Sequence, residues 1–170
     1  MPLNAIIRHM DPSDAGWMAE GFRNMGWSKP DGYFQQIYRQ QQAEDLVVLV
    51  AQVGHQYAGH LKIVWHPDYP GFRERGIPEI QDLNVVSQFR RNQIGTRLMD
   101  RAEEIVSEMS GLVGIGVGLH PGYNAAQRMY VLRGYVPDAR GVTYDDQYVE
   151  EGAKVRMDDR LILHLVKELG

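Results

Sequence analysis

Cysteine is absent from the 170 residues. Its absence excludes disulfides, cysteine-ligated metal centres and a thiol nucleophile of the protein's own. It also suits a reducing compartment. No apolar run is long enough to cross a bilayer. The opening "MPLNAIIRHMDPSD" has no extended apolar stretch and no small-residue cleavage pattern, so the expectation is a soluble, cytoplasmic protein without a secretory leader. Neither sign of charge dominates. Eighteen Lys and Arg stand against 22 Asp and Glu, a net charge of -4, which gives no overall attraction to nucleic acid or an anionic membrane. Internal repeats and low-complexity linkers are also missing.

What remains is the composition of a folded chain, 44% hydrophobic and 24% charged, with a length that suits one domain over residues 1–170. Ala5–Arg8 reads as a first strand, and Asp11 or Ser13 as the cap of a helix begun by Pro12. Tyr33–Gln42 reads as a second helix after the turn-forming "SKPDG". "DLVVLVAQV" (45–53) and the alternating "YAGHLKIVW" (57–65), joined by Gly54-His55-Gln56, predict a hairpin. A long loop (66–79) precedes the strand "IQDLNVV" (80–86). From Ile94 to about Met109, apolar residues recur at helical spacing: Ile94, Leu98, Ala102, Ile105 and Met109. Leu112–Leu119 predicts another strand, Asn124–Arg133 a helix closed by Gly134, and "DRLILHLVKEL" a final strand. Strands and helices interleave, while the hairpin requires antiparallel pairing. The expected class is α/β, with a mixed central β-sheet flanked by helices.

The stretch "FRRNQIGTRLM" (89–99) sets its most polar residues where a helix begins. The first amides of a helix have no intrahelical acceptor, and the helix dipole adds positive charge there. Gly95 lacks a Cβ, so a ligand could approach the backbone, and Arg90 and Arg91 could add charge-assisted bonds to an anion. A pyrophosphate suits such a cradle. So does plain solvent around a helix start.

Two segments narrow the choice. "EIQDLNVVSQFRRNQIGTRLMDRAEE" resembles the signature of the GNAT acyltransferase superfamily: a strand ending Leu-x-Val, a short loop, then Arg/Gln-x-x-Gly-x-Gly/Ala opening a long helix. Leu83 and Val85 match the strand end, Arg90 the first motif position and Gly95 the second glycine; Gln93 replaces the first. "PGYNAAQRMYVLRGYVPD" is similar to the family's second helix, with Asn124, Tyr130, Gly134 and Tyr135 at the expected offsets and Met129 in the place of the usual leucine. The matching regions run from about Ile80 to Pro137.

The resemblance implies a single GNAT acetyltransferase domain that uses acetyl-CoA as acyl donor. Two adjacent central strands would splay to admit the pantetheine arm, with the main chain of Leu83 and Val85 bonding to it. Arg90, Arg91, Asn92, Gln93, Ile94, Gly95 and Thr96 would hold the pyrophosphate, with Asn124 nearby in the second motif. Tyr130 would protonate the departing thiolate, and the amide of Leu83 would stabilise the oxyanion. Glu79 and Asp82 are the candidate bases, placed by strict alternation on opposite faces of their strand. The implied reaction is direct attack of a primary amine, expected on a small molecule, in a ternary complex. The alternatives are a non-catalytic acyl-CoA sensor, another acyl donor, or a protein amine as acceptor. A homodimer is compatible with all of these.

Other signals carry less. "GIGVG" (114–118) resembles part of a dinucleotide-binding motif, but no helix opens directly after it, so its glycines are expected to allow close backbone approach beside the cofactor. The six histidines form no metal-ligand spacing; His60 and His66 are expected at the surface or lining a polar cleft. The basic cluster at 90–97 lacks the interleaved aromatics of a nucleic-acid site. The segment 138–159 reads as a long acidic insertion, most simply a solvated hairpin; alternatively its Asp145, Asp146, Glu150 or Glu151 could attract a cationic acceptor. Trp27, Tyr33, Phe34, Trp65 and Phe72 divide between the acceptor mouth and the core.

Overall fold

The computed structural model describes residues 3–170. Eight strands hydrogen-bond in the order β1-β2-β3-β4-β5-β8-β6-β7, a mixed sheet flanked by helices. The chain divides into two units, one formed by residues up to Val64 with Gln81–Ile105, the other by Trp65–Ile80 with Val106–Gly170.

In the first unit, β1 (Ala5–His9) lies antiparallel to β2 (Leu46–Val53), which forms the expected hairpin with β3 (Gln56–Val64). A bulge between Ala51 and Gln52 shifts its register. Helices α1 (Asp14–Asn24) and α2 (Tyr33–Gln42) cover these strands, burying Met18, Phe22, Phe34 and Ile37 against Leu46, Val48, Val50 and Tyr57. The start of α1 is fixed in a way that the capping pattern does not reveal. Ser13 holds the cap position without a side-chain bond, while the Asp14 carboxylate accepts from the Asp11 amide (2.7 Å) and from both ends of the Arg8 guanidinium (2.6 and 2.9 Å). Most of α4 (Ile94–Ser107) belongs to this unit, with Ile94, Leu98 and Ala102 buried as their spacing predicts. The buried stripe then passes to Val106, and Met109 lies beyond the helix, 76% exposed.

In the second unit, the first residues of β4 (Glu79–Val85) pair in parallel with β5 (Leu112–Gly118), Glu79 against Gly114 and Ile80 against Ile115. β8 (Leu161–Glu168) runs antiparallel to β5 and to β6 (Val136–Tyr144), and β6 turns into the short β7 (Gln147–Tyr148). The acidic insertion therefore contains the expected hairpin, β6 with β7. The loop before β4 holds one turn of helix, α3 (Pro70–Arg73), whose Phe72 joins Tyr69 and Ile77 in a buried cluster. Helix α5 (Asn124–Leu132) ends at Gly134, which takes the left-handed conformation (φ 92°) expected of a closing glycine. No helix among the described residues is long and apolar enough to cross a membrane.

Candidate functional site

The connection from β4 to α4 is held by its own side chains. After Val85 a 3-10 turn (Ser87–Phe89) buries Phe89, and Arg90–Gln93 lead into the helix. Arg90 Nε donates to the Val85 carbonyl (3.1 Å), and its guanidinium lies 5.7 Å from the centre of the Trp27 ring. The Asn92 amide donates to the carbonyls of Phe89 (3.2 Å) and Arg90 (2.9 Å). Arg91 and Gln93 are both left-handed, with φ 62° and 61°. Gln93 therefore occupies a conformation that glycine adopts without strain, which accounts for the motif's preference at that position.

The first α-helical bond of α4 runs from the Arg97 amide to the Gln93 carbonyl (2.9 Å). The amides of Ile94, Gly95 and Thr96 precede it and have no intrahelical acceptor. Ile94 is buried and anchors the helix, while Gln93 and Thr96 are exposed. A Cβ on Gly95 would lie 3.6 Å from Val85 Cγ2, an ordinary contact. The fold itself does not require glycine there, so its use lies in the bare backbone presented at the helix mouth. These features fit an anion with several oxygens, such as the pyrophosphate of coenzyme A.

Within β4, alternation fails at Asp82, which is left-handed (φ 57°). Its carboxylate accepts from four groups: Lys29 Nζ (2.8 Å), the Tyr33 hydroxyl (2.6 Å), His60 Nε2 (3.2 Å) and the Asn84 amide (2.9 Å). The Tyr57 hydroxyl completes the chain through a hydrogen bond with His60 Nδ1 (2.6 Å). Burial pushes the Asp82 carboxyl up, but hydrogen bonding and the field of His60, with the ammonium of Lys29, outweigh it and hold the group well below the usual carboxylate range. The Tyr33 phenol is pushed up, by burial first and then by the Asp82 charge. A carboxylate so saturated takes a proton poorly. His60, expected at the surface or lining a polar cleft, is fully buried among Phe22, Phe34 and Tyr57, whereas His66 is exposed. Leu83 and Val85 are half-buried, and Gly59 of β3 lets the β4 backbone approach: a Cβ there would lie 2.3 Å from the Asn84 carbonyl oxygen.

In the second unit, Glu79 is buried, with His164 Nε2 4.0 Å from its Oε1. Tyr130 is buried on α5, its ring tilted against Tyr135 at 5.9 Å. Burial, and secondarily Tyr123, pushes its phenol up, so the hydroxyl keeps its proton across the physiological range. Asn124 opens α5 and is exposed. The β5 glycines depart from expectation. A Cβ on Gly114 would lie 2.4 Å from the Phe72 ring, and one on Gly118 would lie 2.3 Å from the Tyr123 ring. Aromatic rings of the protein fill the space that these glycines leave. Phe34 and Phe72 are core, while Trp27, Tyr33 and Trp65 are half-buried. Among the described residues, no three His, Asp or Glu side chains gather as a metal ion would need.

Solved structures share this fold. A GNAT-family protein of Desulfovibrio desulfuricans superposes with a TM-score of 0.72 at 15% identity, covering 98% of this chain and 99% of that one. YncA of Salmonella typhimurium, solved with its cofactor acetyl-CoA, gives 0.69 at 16% identity, with 98% and 94% covered. A ribosomal-protein-alanine N-acetyltransferase of Brucella melitensis gives 0.67 at 19% identity, with 96% and 99% covered. No curated protein matches the sequence significantly. At such identities the likeness concerns fold alone, and the assignment comes from the sequence. Residues 15–135 match the model of the acetyltransferase (GNAT) family, and the chain belongs to that family.

Proposed function

We propose that residues 1–170 act as one catalytic domain that transfers an acetyl group from acetyl-CoA to a primary amine of a small molecule. The observation that carries the reading is the mouth of α4. There the unbonded amides of Ile94, Gly95 and Thr96 open beside a glycine that the fold does not itself need. Arg90 and Asn92 shape this cradle through the loop's own carbonyls, and Arg91 adds charge at its exposed rim. The main chain of Leu83 and Val85 takes the pantetheine arm.

An alkyl ammonium has a pKa of about 10.4 and cannot attack until it loses a proton. Of the two candidate bases, Glu79 is favoured, because the bonds that Asp82 accepts from Lys29, Tyr33, His60 and Asn84 stabilise its ionised form against taking a proton. Glu79 takes the amine proton, directly or through a water. The amine nitrogen then bonds to the thioester carbon, with the oxyanion stabilised by the Leu83 amide. The C–S bond breaks, Tyr130 protonates the sulfur, and the second N–H proton of the acylated nitrogen passes to the Tyr130 oxygen, directly or through a water, leaving a neutral amide and the free thiol. The phenol carries the proton that the sulfur receives, although its burial makes it a weaker acid than in water.

Free thiol released from acetyl-CoA in the presence of a panel of primary amines tests the reading. Amine-dependent release is the expected result. Coenzyme A binding by calorimetry without thiol release would identify a sensor, and no binding at all would remove the cradle assignment as well.

A further inference from the structure

β5 separates β4 from β8. Glu79 pairs with Gly114 on one side of β5, and His164 pairs with Gly116 on the other. A side chain at position 116 would stand between them. Its Cβ would lie 3.5 Å from Glu79 Oε1, 3.5 Å from His164 Cδ2 and 2.8 Å from Ile162 Cγ2. With glycine there, the two side chains reach across the strand until His164 Nε2 lies 4.0 Å from Glu79 Oε1. That is too long for a hydrogen bond and short enough for strong charge–dipole attraction in a buried setting.

The imidazole is held rigidly. It stacks on Tyr69 with ring centres 3.5 Å apart and planes 4° from parallel, and the edge of Phe72 closes its side at 5.3 Å. Its Nδ1 is buried without a hydrogen-bond partner. Burying a bare lone pair is less costly than burying an unpaired N–H, so the ring proton belongs on Nε2, facing the carboxylate. The other polar groups around the ring are engaged elsewhere. The Tyr69 hydroxyl donates to Asp138 of β6, the Tyr148 hydroxyl of β7 donates to Tyr69, and Arg140 of β6 bonds to Tyr148. Burial pushes the imidazole down to about 4, against an opposing pull from Asp138, so at neutral pH it offers a dipole and not a second charge.

We propose that His164 is a positioning residue for Glu79, its Nε2–H directed through the gap at Gly116 to keep the carboxylate ionised and aimed at the acceptor's proton. The proposal rests on the reading of Glu79 as the base. Gly116 is thereby part of the same device, as the position that must stay empty.

The test is kcat/KM against pH for His164→Phe, His164→Gln and Gly116→Ala. Phenylalanine keeps the stack on Tyr69 and removes the N–H. The acid limb should then move upward by roughly half to one pH unit, because the ionised base has lost a favourable dipole. Glutamine retains an N–H donor and should move the limb less. Gly116→Ala inserts a methyl group between the partners and should move it in the same direction as phenylalanine, which keeps the test available should His164→Phe fail to fold. In a Glu79→Gln background, His164→Phe should have no further effect on the residual rate. An acid limb unmoved in His164→Phe, while Glu79→Gln removes activity, overturns this inference and leaves the base assignment standing. Full activity and an unchanged limb in Glu79→Gln overturn both.

Discussion

The Lys29 ammonium lies 2.8 Å from Asp82 and 4.7 Å from the centre of the Tyr33 ring, a cation seated on a carboxylate and an aromatic face together. Asp82 also holds His60, a fully buried imidazole, so this one residue of β4 pins α2, β3 and the segment before α2. Asp82→Asn leaves Lys29 and His60 facing an uncharged amide. Removing one partner of such a pair should cost about 3 kcal/mol of unfolding free energy, measured in urea. Lys29→Met should cost less, since its ammonium can be replaced by water at the half-exposed edge. The Asp82 group is depressed in the folded state, so its contribution is present above its unfolded value of about 3.9 and is lost as pH falls through the folded value. The difference between wild type and Asp82→Asn should therefore shrink below about pH 4.

The same residue shows where reading the sequence stops. The hairpin of β2 and β3, the limits of α2 and the starts of α4 and α5 were all legible, because local periodicity and punctuation set them. Alternation along β4 was not, because the left-handed turn at Asp82 is maintained by partners 22 to 53 residues away in the chain. A hairpin in the acidic insertion was legible, but the course of β6 was hidden for a related reason. Ala139 and Gly141 are left-handed and the register with β8 shifts between Pro137 and Val142, so the strand has no clean two-residue period. The burial of His60 depends on rings from two helices. At the candidate site, the residue types at the mouth of α4 were readable, and the inward bonding of Arg90 and Asn92 was not.

Gln93 stands where the motif carries glycine and has φ 61°. Gln93→Gly would relieve a left-handed side chain worth about 1 kcal/mol and return a similar amount through the freer unfolded chain. Stability and coenzyme A affinity should both stay close to wild type. Gln93→Val places a β-branched residue in the same conformation and should lose about 1 to 2 kcal/mol, with weaker binding as the cradle deforms. Thermal unfolding and calorimetry on the two variants would check this. Equal behaviour of glycine and valine would mean that this turn does not shape the cradle.

His164 makes stability depend on pH in a defined window. Its folded value of about 4 lies below the unfolded value of about 6.5, so the fold favours the neutral ring. Its contribution is complete above about pH 6.5 and is lost as pH falls towards 4, because the unfolded chain then binds a proton that the folded chain refuses. The loss amounts to at most about 3 kcal/mol. His164→Phe should flatten the fall in urea midpoint between pH 7 and pH 5. A variant that loses stability as steeply as wild type over that range would show that the ring is protonated in the fold.

Tyr130 reaches its place through the apolar side of α5, and burial keeps its hydroxyl protonated. If that proton goes to the departing sulfur, Tyr130→Phe removes an interaction made only as the C–S bond breaks. The expected loss is about a hundredfold or more in kcat, with the KM for acetyl-CoA nearly unchanged. The ring packs on Tyr135 and phenylalanine keeps that contact, so unfolding stability should change by less than about 1 kcal/mol. Thioesters with more acidic leaving thiols need less help from an acid, and the variant should recover rate with them. An unchanged kcat with acetyl-CoA, or no recovery with a better leaving group, would leave the phenol as a packing residue and move the search for the acid to another side chain.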